Sequence, residues 1–250
     1  MMIKISSMVG TPDLKAPVLA PYSGDLPAAF AKLVRLGYEG VEFMTKNPSK
    51  LNGPAIRRSL DEHNLELCQI CTGHVWGEDK LGLVDTDATL NREAMKRMKE
   101  IVDFAAIHFK PGVPVNIGRS RGQGDPAQPE KSLAAYEAAF QELADYAGPK
   151  KVRLTLEPIT ATLIPFVLTT QEGVEMCRRV NRPNFGLMLD VYHMNIEDVD
   201  MYQSFRDAKD DCWLVHVCDK NRRWPGSAHL DFGKIIATLN EIVYDGFVST

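Results

Sequence analysis

The chain has 250 residues, 44% hydrophobic and 25% charged, with a formal net charge of −4. This is the composition of an ordinary globular protein, of a length that one large α/β barrel fills, and its acidic balance argues against a basic nucleic-acid footprint. No run approaches the ~20 apolar residues of a membrane span, and the opening M-M-I-K-I-S-S-M-V-G alternates too much for a signal sequence, so a cytoplasmic protein is expected. The five cysteines, an odd number, suit a reducing compartment. Cys68 and Cys71 form C-x-x-C, but on an expected strand their side chains point to opposite faces, so they read as structural.

Met2 to Met8 reads as a first strand, and a Pro-rich loop from Thr11 to Pro21 is long enough to cover a site. Leu26 to Leu36 has helical period, followed by a turn and second strand in G-Y-E-G-V-E-F (Gly37 to Phe43). Pro54 to His63 is an expected helix, Leu65 to Thr72 a third strand, and Leu90 to His108 a long helix entered through capping residues from Asp85 to Thr89. Val113 to Ile117 is a fourth strand and Pro129 to Ala147 a helix. Strand five (Val152 to Leu156), a helix (Thr170 to Val180), strand six (Phe185 to Leu189) and a short helix near Val199 to Ala208 follow. Strand seven (Trp213 to Val217), a helix (Phe232 to Ile242) and strand eight (Gly246 to Thr250) complete the series.

Strands alternating with helices, in one composition regime, predict βα repeats on a parallel sheet. With eight strands and no G-x-G-x-x-G after the first, a (β/α)8 TIM barrel over residues 1–250, one domain, is preferred to a dinucleotide fold. A faint echo of L-G-Y-E-G-V (Leu36 to Val41) in V-Y-D-G-F-V (Val243 to Val248) fits repeated units. Strand eight reaches Thr250 with no helix after it, so the chain is expected to be a truncated version of a longer product.

Three late strands end alike. L-T-L-E-P-I-T delivers Glu157, F-G-L-M-L-D-V-Y-H delivers Asp190 with His193 close behind, and W-L-V-H-V-C-D delivers His216. An α/β barrel keeps its chemistry at the C-terminal ends of its strands, so a divalent metal site is the economical reading. His229 and Asp231 are expected to cap the helix that begins there, and His63 and His108 to be structural. Arg119 and Arg121 follow strand four, where they either grip a phosphate or are solvated loop arginines.

L-E-P-I-T, L-D-V-Y-H-M-N-I-E, H-V-C-D-K-N-R-R-W-P-G-S-A-H-L-D-F and the earlier T-G-H-V-W-G-E-D-K-L-G-L-V-D-T-D together resemble the xylose isomerase-like barrels of sugar isomerases and epimerases. The likeness is greatest to the ketose 3-epimerase and hydroxypyruvate isomerase branch. It implies one divalent metal (Mn²⁺, Mg²⁺, Co²⁺ or Zn²⁺) held by Glu157, Asp190, His216 and a second glutamate expected immediately beyond Thr250. It further implies substrate contacts from His193 and Arg222, and Glu157 as a catalytic base; His74 and Trp76, in the loop after strand three, are candidate pocket walls. The branch usually has another glutamate six residues after the first metal glutamate, where this chain has Leu163, which suggests a different substrate end.

Moving a proton next to a carbonyl needs a base at the carbon and stabilisation of the enediolate oxygen, which a Lewis acid supplies. The expected activity is therefore metal-dependent isomerisation or epimerisation of a sugar or sugar phosphate, with a homodimer or homotetramer carried over by analogy. Three alternatives stay open: a dehydratase of the inosose or dehydroshikimate type, a catalytically incomplete binding barrel, and an AP endonuclease IV-type nuclease. The nuclease needs more His and Asp ligands than this chain offers at strand four.

Overall fold

The structure is a computed structural model that describes residues 3–16 and 19–250. Among the described residues, eight parallel strands follow one another round a closed barrel: β1 (Lys4–Gly10), β2 (Gly40–Met44), β3 (Glu66–Cys71), β4 (Pro114–Ile117), β5 (Arg153–Leu156), β6 (Phe185–Asp190), β7 (Cys212–His216) and β8 (Phe247–Ser249). Closure is made by β8 returning to β1, with Lys4 opposite Phe247 and Ser6 opposite Ser249. A two-residue strand, Tyr22–Ser23, adds to the upper end of β1.

The helices between strands form where sequence gives them one apolar face and a capped start. In α1 (Leu26–Arg35) the Asp25 side chain accepts the Ala28 N–H, and Leu26, Ala29, Phe30 and Leu33 are buried at helical spacing. α2 (Gly53–Glu62) starts at Asn52, which accepts the Ala55 N–H. A short α3 (Gly73–Gly77) precedes the long α4 (Ala88–His108), capped by Asp87. α5 (Pro129–Ala147) opens on proline, and α6 (Thr170–Val180) begins with a full capping box between Thr169 and Glu172. α7 (Val191–Glu197), α8 (Met201–Asp207) and α9 (Phe232–Glu241) follow, α9 capped by Asp231 as expected from the sequence.

Alternation along each strand sorts side chains between the helix layer and the barrel interior. Leu187 and Leu189 of β6 pack outward in the main core, whereas Met188 between them joins Cys68 and Leu214 inside the barrel.

Some expectations shift. The first strand runs Lys4–Gly10; its expected start at Met2 lies outside the described residues, as do Pro17 and Val18 of the expected covering loop. Two short helices, α3 and α7, were not expected; they follow closely on the strands read as ending at Thr72 and Leu189 and span only five and seven residues. The two cysteines of C-x-x-C do not point to opposite faces. The pairing of β2 with β3 slips by one residue between Val41 and Glu42, leaving Cys68 as an extra residue, and such a bulge resets the alternation. Cys68 then packs with Met188 and Leu214, and Cys71 with Met8 and Met44; both thiols are buried and free.

Candidate active site

Parallel register sets three side chains at one height: Asp190 ends β6 opposite His216, which ends β7 opposite Ser249 of β8. Glu157 is the first residue past β5, and its backbone is held from below. Arg121, fully buried, donates to the carbonyl oxygens of Glu157, Phe166 (2.9 Å) and Val167 (3.1 Å). The expectation that Arg121 grips a phosphate or lies solvated in a loop is therefore overturned: it pins the segment after β5. Gly118, at the end of β4, leaves room for the carboxylate, since a Cβ there would lie 2.6 Å from Glu157 Oε2.

Below this rim is a buried polar layer that sequence reasoning missed. Glu42, inward on β2 and wholly buried, receives Ser249 Oγ at 2.8 Å and His216 Nε2 at 2.7 Å on one oxygen, and Gln69 Nε2 at 2.9 Å on the other. Thr155 Oγ1 donates to Gln69 Oε1 at 2.6 Å and completes the chain. Burial alone would raise the Glu42 pKa, but the charge and hydrogen bond of His216 hold it below the ordinary value. Burial alone would lower the His216 pKa; Glu42, then Asp190 and Glu157, raise it to about 9. The lone carboxylate inside G-V-E-F-M was the available signal.

The rim is less well satisfied. Burial pushes Glu157 up to about 7, assisted by the charge of Asp190 and opposed by His216, Arg222 and Arg121. Asp190 stays below its ordinary value despite burial, because Arg222, His193 and His216 face it. Arg222 Nη1 donates to Asp190 Oδ2 at 2.6 Å, and Arg222 Nη2 lies 2.7 Å from His193 Nε2. Burial lowers the His193 pKa to about 4, so the ring is neutral. Its Nδ1 is approached at 3.2 Å by the Thr160 backbone N–H. A neutral imidazole has one acceptor nitrogen, so only one of the two contacts is a hydrogen bond. The shorter contact has a charged donor and is the stronger hydrogen bond, so Arg222 donates to His193 Nε2.

The same bookkeeping tests the fit of a metal. Glu157, Asp190 and His193 bring potential ligand atoms within 4.8 Å of one another, and His193 Nε2 is taken by Arg222 at 2.7 Å. His216 commits Nε2 to Glu42 and turns Nδ1 toward Asp190 Oδ2, 4.0 Å away. A carboxylate behind an imidazole is the usual support of a metal-bound histidine. Two carboxylates and this imidazole suit a divalent cation, and a place that raises an imidazole pKa to about 9 favours positive charge.

Glu157, Asp190, His193, His216, Arg222 and His74 all line one cavity of about 780 Å³ at this end of the barrel. His74 Nε2 lies 3.2 Å from the Ala16 carbonyl, tying α3 to the loop after β1. Trp76 is not among the lining residues; its ring lies 4.7 Å from the guanidinium of Arg119, which does line the cavity.

Fold and site define an α/β barrel with an acid and imidazole cluster at the C-terminal mouth. More narrowly, the chain belongs to the xylose isomerase-like TIM barrel family, which residues 30–250 match. It is 30% identical to an L-ribulose 3-epimerase of Methylomonas sp. (strain DH-1), over 90% of this chain and 79% of that one. It is 41% identical to a 3-dehydro-D-guloside 4-epimerase of Escherichia coli (strain K12), over 88% of this chain and 84% of that one. Among solved structures, a D-allulose 3-epimerase from Methylomonas sp. in complex with D-allulose superposes with a TM-score of 0.77 at 25% identity, covering 98% of this chain and 83% of that one. In the described residues, no helix is long and apolar enough to cross a membrane.

Proposed function

We propose that this protein epimerises a keto sugar by moving a proton at the carbon next to the ketone, with Glu157 as the base. The relatives point one way: position 3 of a ketose and position 4 of a 3-dehydro-glycoside are both adjacent to a ketone. The observation that carries the reading is a largely buried carboxylate with its pKa raised to about 7, set among Asp190, His216 and His193 in one cavity. A base poised near neutrality is suited to taking a weakly acidic C–H proton and giving it back.

Glu157, Asp190 and His216 are the proposed ligands of one divalent cation, Mn²⁺, Mg²⁺, Co²⁺ or Zn²⁺. When bound, such an ion supplies Lewis acidity toward the oxygens flanking the reacting carbon. Glu42 orients His216, and Arg121 with Gly118 fixes where the Glu157 carboxylate stands. His193 and Arg222 are the proposed contacts to sugar oxygens, Arg222 giving up its hydrogen bonds to Asp190 and His193 to make its own. Inversion needs the proton returned on the opposite face. Ser249 and Thr250 bring β8, three strands round from β5, to the same cavity.

The test is incubation of the Mn²⁺-loaded protein with keto sugars in D₂O, reading deuterium next to the ketone by NMR. Incorporation that Glu157→Gln abolishes is expected. A dehydrated product would instead support the lyase alternative, and metal binding without exchange in any sugar would overturn the enzymatic reading.

A further inference from the structure

Arg119, the residue after Gly118 at the end of β4, lines the cavity and is half-buried. Its Nε is buried with no hydrogen-bond partner, and among the described residues no carboxylate pairs with its guanidinium. Arg121, two residues on, behaves oppositely and gives its Nη atoms to three carbonyl oxygens. A guanidinium carries five N–H donors and a permanent charge, and withdrawing such a group from water without a partner is costly. A buried donor left over in a cavity wall calls for a ligand acceptor or another explanation.

The side chain is held in one orientation. Its guanidinium carbon lies 4.7 Å from the centre of the Trp76 ring, whose face attracts a cation. The backbone beneath it is fixed through Ser120, whose carbonyl accepts the Leu83 N–H at 3.0 Å and whose Oγ lies 2.7 Å from Thr72 Oγ1. Stacking accounts for where the guanidinium stands, but a ring face offers no acceptor in the plane of the fork. The donors stay free while the arginine is oriented.

Charge balance defines the ligand that would use them. Of the carboxylates lining the cavity, Glu78 is paired with Lys46 at 2.9 Å, and Glu157 and Asp190 are the proposed ligands of a divalent ion, whose charge they match. Asp190 is then no longer free for Arg222, which holds it at 2.6 Å in this structure. Arg119 and Arg222 are left facing the cavity as cations, against the single buried charge of Glu42 behind His216. A neutral sugar would leave that excess uncompensated.

We propose that Arg119 reads an acidic substituent of the substrate, a carboxylate or phosphate set apart from the reacting carbon, so that the keto sugar is an anion. The proposal rests on the epimerase reading and narrows its substrate class. Charged donors in a fork, facing a pair of anionic oxygens, make strong and directional hydrogen bonds. The acidic group takes no part in the proton transfer and leaves with its bonds unchanged; it anchors the sugar while Glu157 exchanges the proton.

Three ketoses that differ only at the terminal carbon far from the ketone test this: D-fructose, its carboxylate D-fructuronate, and D-fructose 6-phosphate, each in D₂O with Mn²⁺-loaded protein. At least one acidic ketose is expected to have a KM about tenfold or more below that of D-fructose, the scale of a hydrogen bond to a charged group, and the better of the two tells carboxylate from phosphate. Arg119→Gln, with its fold checked by circular dichroism, should bring that ratio close to one and change kcat much less than KM. Arg119→Lys, which keeps the charge without the fork, should retain part of the preference. Calorimetric binding of D-gluconate against D-glucitol, neither of which has a ketone, makes the comparison without turnover. Equal KM values for all three ketoses, or a preference for acids that survives Arg119→Gln, would overturn the proposal and leave the epimerase reading intact. No exchange with any ketose, alongside an Arg119-dependent preference for D-gluconate, would overturn the epimerase reading and uphold the anion contact.

Discussion

Two layers of the barrel interior hold buried carboxylates and treat them oppositely. In the lower layer, Glu42 shares its oxygens among His216, Gln69 and Ser249, and its pKa is lowered despite burial. In the upper layer, Glu157 is largely buried without such donors and its pKa rises to about 7. Separated values of this kind divide labour, one carboxylate fixed as an anion and the other able to exchange its proton. The lower layer is satisfied by the protein itself. In the upper layer Asp190 and His193 each take a hydrogen bond from one side chain, Arg222, at 2.6 and 2.7 Å.

The sharpest way to break this contrast is to neutralise each carboxylate in turn. Glu157→Gln keeps shape and removes the proposed base, so deuterium exchange should fall ~10³-fold, within the range for loss of a positioned acid or base. Glu42→Gln touches no substrate and should leave measurable exchange when metal is saturating. Equal losses in the two variants would show that the layers are not functionally distinct.

The same contrast has a pH signature in protein stripped of metal. Glu157 has a folded pKa of about 7 against an ordinary 4.5, raised by burial first and then by Asp190. A raised folded pKa gives stability that is complete below the unfolded value and is lost as pH climbs through the folded one. Between about pH 4.5 and 7 the wild type should therefore lose ~3 kcal/mol relative to Glu157→Gln. Urea unfolding of both proteins at pH 5 and pH 8 measures it. A difference that does not change with pH would mean that the Glu157 carboxyl is not desolvated.

The sequence showed the upper layer well and the lower layer hardly at all. Strand ends that break off on Glu157, Asp190 and His216 are local patterns, and the chain delivers these side chains in register because parallel strands of one barrel rise together. Glu42 is recognisable only through His216, 174 residues away. Arg121 reads as a loop residue in R-S-R-G, and only the three carbonyls converging on it show what it does. The bulge at Cys68 left no sign in L-E-L-C-Q-I-C-T, because a slip of one residue is decided by what the neighbouring strand packs against. Helix boundaries, by contrast, were legible wherever a cap was written locally, as at Asp25, Asp87 and Thr169.

Metal affinity sharpens the comparison further, because substitutions in the two layers should move it in opposite directions. Glu42→Gln removes the carboxylate that orients His216 and strengthens it as a donor, and loss of such a partner typically weakens binding 10–100-fold. Arg222→Ala acts on the other side of the same ligands. Its guanidinium holds Asp190 Oδ2 at 2.6 Å, so a cation reaching Asp190 must displace it, and it adds a positive charge that any cation must approach. Removing both effects should tighten Mn²⁺ binding by about tenfold, the scale of one hydrogen bond to a charged group. The same substitution should raise the KM for sugar, because the guanidinium is then lost from the substrate. Calorimetric titration with Mn²⁺ alone separates the two: tighter metal with weaker sugar places Arg222 as a cation that yields Asp190 and turns to the substrate, whereas weaker binding of both would make it a structural clamp on the ligand set.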